Sequence, residues 1–506
     1  SFIGGGECNI VGDRGSVVSG GILNASTGST STIGGGRCNT ASGFATVVGG
    51  GISNTASGLA STVGGGIGNT ASFTSTVGGG QGNTASSDWA TVGGGLCNIS
   101  SYAYSTVNGG RCNTSSGYYS TVSGGGSNTA SGYKSTVGGG IGNTACGQNS
   151  TVGGGCSNTA SSDYSTVGGG QGNIASGNTS TVSGGYCNTA SSCFSTVSGG
   201  FCNTASSPAS TVSGGYCNTA SCYSSTVGGG CGNTASSTYS TVSGGQCNTI
   251  NAFTTCSGYY TYGNTIGGGQ CNTINSNSAG YGNAGGVTIA GGFNNTTCSS
   301  NYGFNTIGGG CNNIASCDFS TVGGGLSNNA CGQTSTVSGG RCNTASCYIS
   351  TVSGGYNNTA SSSYSTVSGG ISNTASGYKS TVSGGNSNNA LGCYSTVSGG
   401  LSNNASGNNS IVGGGYSNTA SAYISTVSGG YGNIISTGST ASGILGGVSN
   451  SITGNTCTFI VGSCITAIAS CTTHVNCLAI MNIPTSDSGL SAGMVWRSGT
   501  DLKIVI

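Results

Sequence analysis

The stretch Ser180–Phe194, STVSGGYCNTASSCF, decides the fold, because most of the chain repeats it end to end. Its threonine, Thr181, recurs at Thr91, Thr106, Thr121, Thr136, Thr151, Thr166, Thr196, Thr211, Thr226 and Thr241, each step being 15 residues. Self-similarity at a fixed short period is the signature of a solenoid. Counting the threonine as position 0 places Val182 at position 1, two glycines at 3 and 4, Asn188 at 7 and Ala190 at 9. Ser-Thr-Val-Ser and Asn-Thr-Ala-Ser alternate polar with apolar or small residues, the pattern of half-buried strands, and Gly-Gly and Ser-Gly mark the turns between them. Fifteen residues are too few for a packed helix and a strand. The unit therefore predicts one coil of an all-β parallel β-solenoid. Copies stack about 4.8 Å apart with valine and alanine inside and threonine outside.

The asparagine at position 7 is the strictest regularity, running from Asn9 and Asn24 through Asn98, Asn113, Asn188, Asn203, Asn218 and Asn343 to Asn433. Its amide carries both donor and acceptor, so a stack at the strand spacing can bond coil to coil, and asparagine tolerates left-handed turns. The column is expected to be a structural, inward-facing ladder.

Solenoids grow without a central core, so 506 residues need not mean several domains. Residues 1–450 are expected to form the solenoid. The strict step breaks between Thr241 and Thr306, where longer loops around 251–305 should bulge from turns; loops on a rigid scaffold often carry function. Residues 451–506 change in character, with the apolar run Thr458–Ala469 and the single histidine, His474. They are expected to form a β-rich cap that also holds an oligomer together, since an uncapped coil leaves strand edges unpaired. The chain opens in register at Ser1–Gly6, which suggests processing or a longer parent.

Eight basic and seven acidic residues leave a net charge of +1, no electrostatic footprint for nucleic acid or an anionic membrane. No apolar run is long enough for membrane insertion as a helix. With one histidine, scattered acids and no phosphate-binding loop, no catalytic site or cofactor is indicated. Cysteine is abundant, 26 in all, yet no metal-binding spacing occurs. Cys97, Cys112, Cys187, Cys202 and Cys217 share position 6. At the coil spacing, neighbours lie within disulfide range, and Cys97 with Cys112 is the best pair; Cys187, Cys202 and Cys217 cannot all pair with one another. Tyrosines recur in the turns: Tyr186, Tyr216 and Tyr356 at position 5, and Tyr259 and Tyr260 in the first long loop. They are candidate surface-binding residues, for a host glycan or a neighbouring fibre, and equally candidates for stacking on one another.

The unit STVxGGxxNTASGxx resembles the head repeats of trimeric autotransporter adhesins, which implies a left-handed β-roll and a homotrimer. Similar repeats occur in fibre proteins of large DNA viruses and tailed phages. The end of the chain, with Pro484–Asp487, Ala492–Gly493, Trp496 and Gly499–Ile504, resembles the terminal segment of such viral proteins. The 15-residue unit, the cysteines and the lack of a stalk or anchor segment favour the viral likeness. The expectation is a non-enzymatic structural fibre on a virion or other extracellular surface. A glycan-binding adhesin and an ice-binding solenoid, the latter suggested by the threonine columns, are the alternatives.

Overall fold

The computed structural model describes residues 1–253, 263–277, 285–299, 302–479, 481–498 and 500–505. It is an all-β parallel solenoid with no helix among the described residues. It divides into two units, Ser1–Phe319 and Ser320–Ile506.

In the first unit each coil contributes two two-residue strands. Thr181–Val182 pairs in parallel with Thr196–Val197, and Thr189–Ala190 with Thr204–Ala205, so identical positions stack in register. A third column of single parallel bridges runs at position 5, through Tyr186, Phe201 and Tyr216. The alternation of the strands sorts the side chains. Val182 and Ala190 are fully buried, while Thr181 and Thr189 are half-buried on the outer faces. Valine suits a pleated, covered position because its branched side chain has few rotamers to lose.

The turns are set by backbone conformation. Position 6 is left-handed in coil after coil, as in Cys187 (φ 52°) and Cys202 (φ 53°), and so is position 13, as in Phe194 (φ 58°) and Ala209 (φ 55°). Tolerance of this conformation was expected of the asparagine at position 7. The structure gives it to the preceding residue instead, and glycine, the residue freest in this conformation, takes position 6 in several coils, as in Gly172 (φ 65°).

The two glycines of each turn have different duties. At position 4, Gly185 has φ 93°, and a Cβ there would lie 2.2 Å from the carbonyl oxygen of Gly200 and 2.5 Å from the amide nitrogen of Asn188. At position 3, a Cβ on Gly184 would meet nothing closer than 4.0 Å.

Where the period breaks, the extra residues first lengthen the second sheet. Thr249–Phe253 pairs with Thr273–Asn277, which pairs with Thr296–Ser299, all in parallel and in register. The Asn251 amide donates to Asn275 Oδ1 at 3.1 Å within this extension. The expected bulges are thus continued strands at their base; residues 254–262 and 278–284, the rest of those insertions, lie outside the described residues.

The second unit repeats the scheme, with Thr351–Val352 on Thr366–Val367 and Thr359–Ala360 on Thr374–Ala375. Coiling runs past the boundary expected at 450: Gly443–Ile444, Phe459–Val461 and Thr473–Val475 pair successively in parallel. Only beyond Val475 does the pattern change, ending in the antiparallel hairpin Val495–Ser498 with Asp501–Ile504. Part of the segment assigned to a cap is therefore coil.

The contrast between adjacent glycines is testable. Gly185→Ala should lower stability by about 3 kcal/mol or more, since it combines a backbone clash with a strained φ. Gly184→Ala should change it by less than about 0.5 kcal/mol. Thermal and denaturant unfolding of the two variants checks this.

Candidate functional site

The position-7 asparagines from Asn24 onward are buried, Asn9 in the first coil being half-buried, and their amides form a regular polar column. Asn203 shows the pattern. Its backbone N–H donates to Asn188 Oδ1 at 2.9 Å, and its own Oδ1 accepts from the backbone N–H of Asn218 at 2.9 Å. Its Nδ2 donates to the Gly199 carbonyl at 2.8 Å and to the Gly215 carbonyl in the next coil at 2.9 Å. Asn98, Asn113, Asn188, Asn218 and Asn343 repeat these bonds. The ladder is inward, and its rungs mostly run from side chain to backbone. Direct amide-to-amide bonds add to it at Asn9–Asn24, Asn248–Asn272 and Asn433–Asn450.

A second buried polar column was missed in the sequence. The serine at position 14, just before the threonine, is fully buried, and Ser195 Oγ donates to the Ser192 carbonyl at 2.6 Å to close the second turn. Where position 9 is serine in place of alanine, the two hydroxyls pair, as in Ser100 with Ser105 at 2.6 Å. Serine is so common in the unit that composition does not single this column out; its recurrence immediately before Thr, broken at Ala90, Asn264, Val287 and Asn305, is the available signal. The hydroxyls of Ser135, Ser150, Ser380, Ser395 and Ser410 are buried without a partner.

Cys97, Cys112, Cys187, Cys202 and Cys217 line the rim of the first turn at position 6, and all five, Cys97 and Cys112 included, are free thiols in the structure. Cys202 lies between Cys187 and Cys217. Partial burial, reinforced by the neighbouring thiols and their hydrogen bonds, raises its pKa above the ordinary thiol value.

The turn aromatics stack on each other. Tyr186, Phe201 and Tyr216 lie 5.0 Å apart at 7°, and Tyr416 and Tyr431 lie 5.2 Å apart at 22°. Stacking along the coil axis covers the face of the middle ring, Phe201, and leaves its edge outward. Tyr356 carries the Arg341 guanidinium at 5.6 Å over its ring. In the other turn, Tyr364, Tyr378 and Tyr394 surround the Lys379 ammonium at 5.3–5.6 Å. Tyr259 and Tyr260 lie outside the described residues. Among the described residues no cluster of His, Cys, Asp and Glu could hold a metal, and no helix is long and apolar enough to cross a membrane.

Two outcomes follow from this geometry. Asn203→Ala leaves the backbone N–H of Asn218 without its acceptor and takes the amide donor away from the Gly199 and Gly215 carbonyls, and should cost about 1–3 kcal/mol in urea unfolding. The raised Cys202 pKa keeps its thiolate fraction low until higher pH than for an ordinary cysteine. Its alkylation rate, followed by peptide mass spectrometry, should therefore reach half-maximum at higher pH than a reference peptide thiol. An equal or lower midpoint would contradict the arrangement.

The geometry stands without help from relatives: no protein-family model matches the chain, and no curated protein matches it.

Proposed function

We propose that the chain is a non-enzymatic structural fibre protein that self-associates as a homotrimer and is displayed on a virion or other extracellular surface. The observation that carries this reading is the asparagine ladder. Each amide, as at Asn203, is bonded within its own coil and, through both Oδ1 and Nδ2, to the coil after, in addition to the parallel backbone bonds, so separating two coils breaks side-chain and main-chain bonds together. Such a unit resists local opening along its whole length and presents its turns at fixed intervals, which is what a fibre requires. The virion setting follows from the likeness of the C-terminal segment to viral structural proteins.

The trimer reading draws on the tail. Ile468, Leu478, Met481 and Met494 are exposed by 85%, 67%, 85% and 48%, an apolar surplus unusual for so short a segment. Burial against symmetry mates removes it from water, and closed cyclic assembly does so without leaving an open end.

Because the parallel ladder runs to Thr473–Val475, the informative truncation removes residues 476–506. Light scattering should give a trimer mass for the full chain and monomers or aggregates for the truncated one. A monomeric full chain, or a soluble truncated trimer, would refute the assignment.

A further inference from the structure

We propose that the outer face of the first sheet in the N-terminal unit is an ice-binding surface, its ligand being the crystal lattice of water. From Thr91 to Thr241 this face carries an uninterrupted column of threonines, each paired in parallel register with the next. Each alternates with a buried valine, so the whole threonine side chain is directed outward. Among the described residues none of these hydroxyls makes a hydrogen bond within the chain, which leaves every one for solvent. The ladder beneath them is uniform, with Thr91, Thr106, Thr121, Thr136 and Thr151 all donating their backbone N–H at 2.9 Å.

The column next to it, position 2, is exposed and, apart from Asn108, carries only glycine or serine, as in Gly138, Gly153, Gly168, Ser183 and Ser198. Nothing bulky rises beside the threonines on that side. Charge is absent from the face as well: the acids and bases of this unit all fall in the turns, with Arg37 and Arg111 at position 5, Asp88 and Asp163 at position 12 and Lys134 at position 13.

These features together select a periodic ligand. A threonine offers one methyl and one hydroxyl on a stiff β-branched stem, so little rotamer freedom is lost on contact. One such contact is weak. A column of them at the strand repeat of about 4.8 Å acts at once only on a partner with nearly the same period, and hexagonal ice has such a repeat. Charged groups would keep their own hydration shells and break the match; here they are segregated to the turns. The second sheet is less regular, since Ile99 and Ile174 interrupt its threonines and Cys146 its serines. A polysaccharide is less favoured because sugar rings pack on aromatic faces, and the aromatics lie in the turns and stack on each other.

The test uses the full chain, and oligomeric state does not enter it, so it is independent of the fibre reading. The protein should partition into a slowly growing ice phase and show thermal hysteresis with faceted crystals. Thr151→Tyr with Thr181→Tyr, two bulky but strand-compatible side chains on the column, should reduce the hysteresis about tenfold by breaking the simultaneous contact. Gln171→Tyr, in the turn between Cys156 and Tyr186, should retain it within about twofold, since a turn residue lies off the contact column. Circular dichroism shows whether the variants keep the fold; should the double variant not fold, Thr166→Lys alone carries the same expectation. Absence of both hysteresis and ice partition in the unaltered protein overturns the proposal. So does undiminished activity in the folded face variants, or binding to insoluble cellulose or chitin with none to ice.

Discussion

The structure depends on how closely one coil can approach the next at position 4. A Cβ on Gly185 would sit 2.2 Å from the Gly200 carbonyl oxygen, so only glycine lets the two backbones come together there. That approach is what brings the Gly200 carbonyl to 2.8 Å from Asn188 Nδ2. With its nitrogen held, the amide turns its oxygen to the backbone N–H of Asn203, and the next coil inherits the same geometry. Glycine and asparagine thus form one device: the first removes a side chain so that the second can reach across. A buried amide left unpaired costs about 1–3 kcal/mol, so a coil that lost the approach would also lose the reason to keep the asparagine inside.

This device matters because the apolar core is thin. A coil places one valine and one alanine at its centre, together with a buried asparagine and a buried serine. Hydrophobic burial scales with apolar area, and alanine contributes little of it. Cohesion between coils therefore rests heavily on the asparagine amides, which are satisfied in place where the serine hydroxyls are only partly so, and a low-dielectric interior rewards such full pairing. The second unit shows where the device stops. Beyond Asn450 the column is taken by Ile465, whose backbone N–H donates to Asn450 Oδ1 at 3.0 Å but whose side chain carries no amide to pass on.

Much of the fold was legible because the repeat multiplies every signal. Val182 inside, Thr181 outside and Asn188 inward follow from alternation and strictness, and the parallel registers agree with them. What was not legible has a physical cause in each case. Gly184 and Gly185 are the same letter, and only the backbone positions of adjacent coils separate them. Ser195 is one serine among many, and its burial reflects a turn closed by its own hydroxyl. The left-handed residue is Cys187, not its neighbour Asn188, because the asparagine must stay extended to enter the ladder. Coiling beyond 450 was missed because Ile465 replaces the asparagine that marks a coil, while the backbone pairing of Phe459 with Gly443 needs no such marker.

Stacking identical positions also limits what the turns can hold. In this fold a side chain's nearest neighbours are its own counterparts one coil away, about 4.8 Å along the axis. Like charges at that distance repel by about 3 kcal/mol at the effective dielectric of a protein surface. Charged residues are accordingly scattered: Arg37 and Arg111 share position 5 but are separated by the uncharged Ile52, Ile67, Gln81 and Leu96. Groups that are neutral at pH 7 escape the restriction, so Tyr186, Phe201 and Tyr216 form an unbroken column, and so do Cys187, Cys202 and Cys217. The rule still acts on these when they ionise. The first thiolate in the cysteine column would repel the next, one reason besides burial that the pKa of Cys202 is raised. The abundance of tyrosine and cysteine in the turns and the scarcity of charge are thus two sides of one constraint, set by in-register stacking.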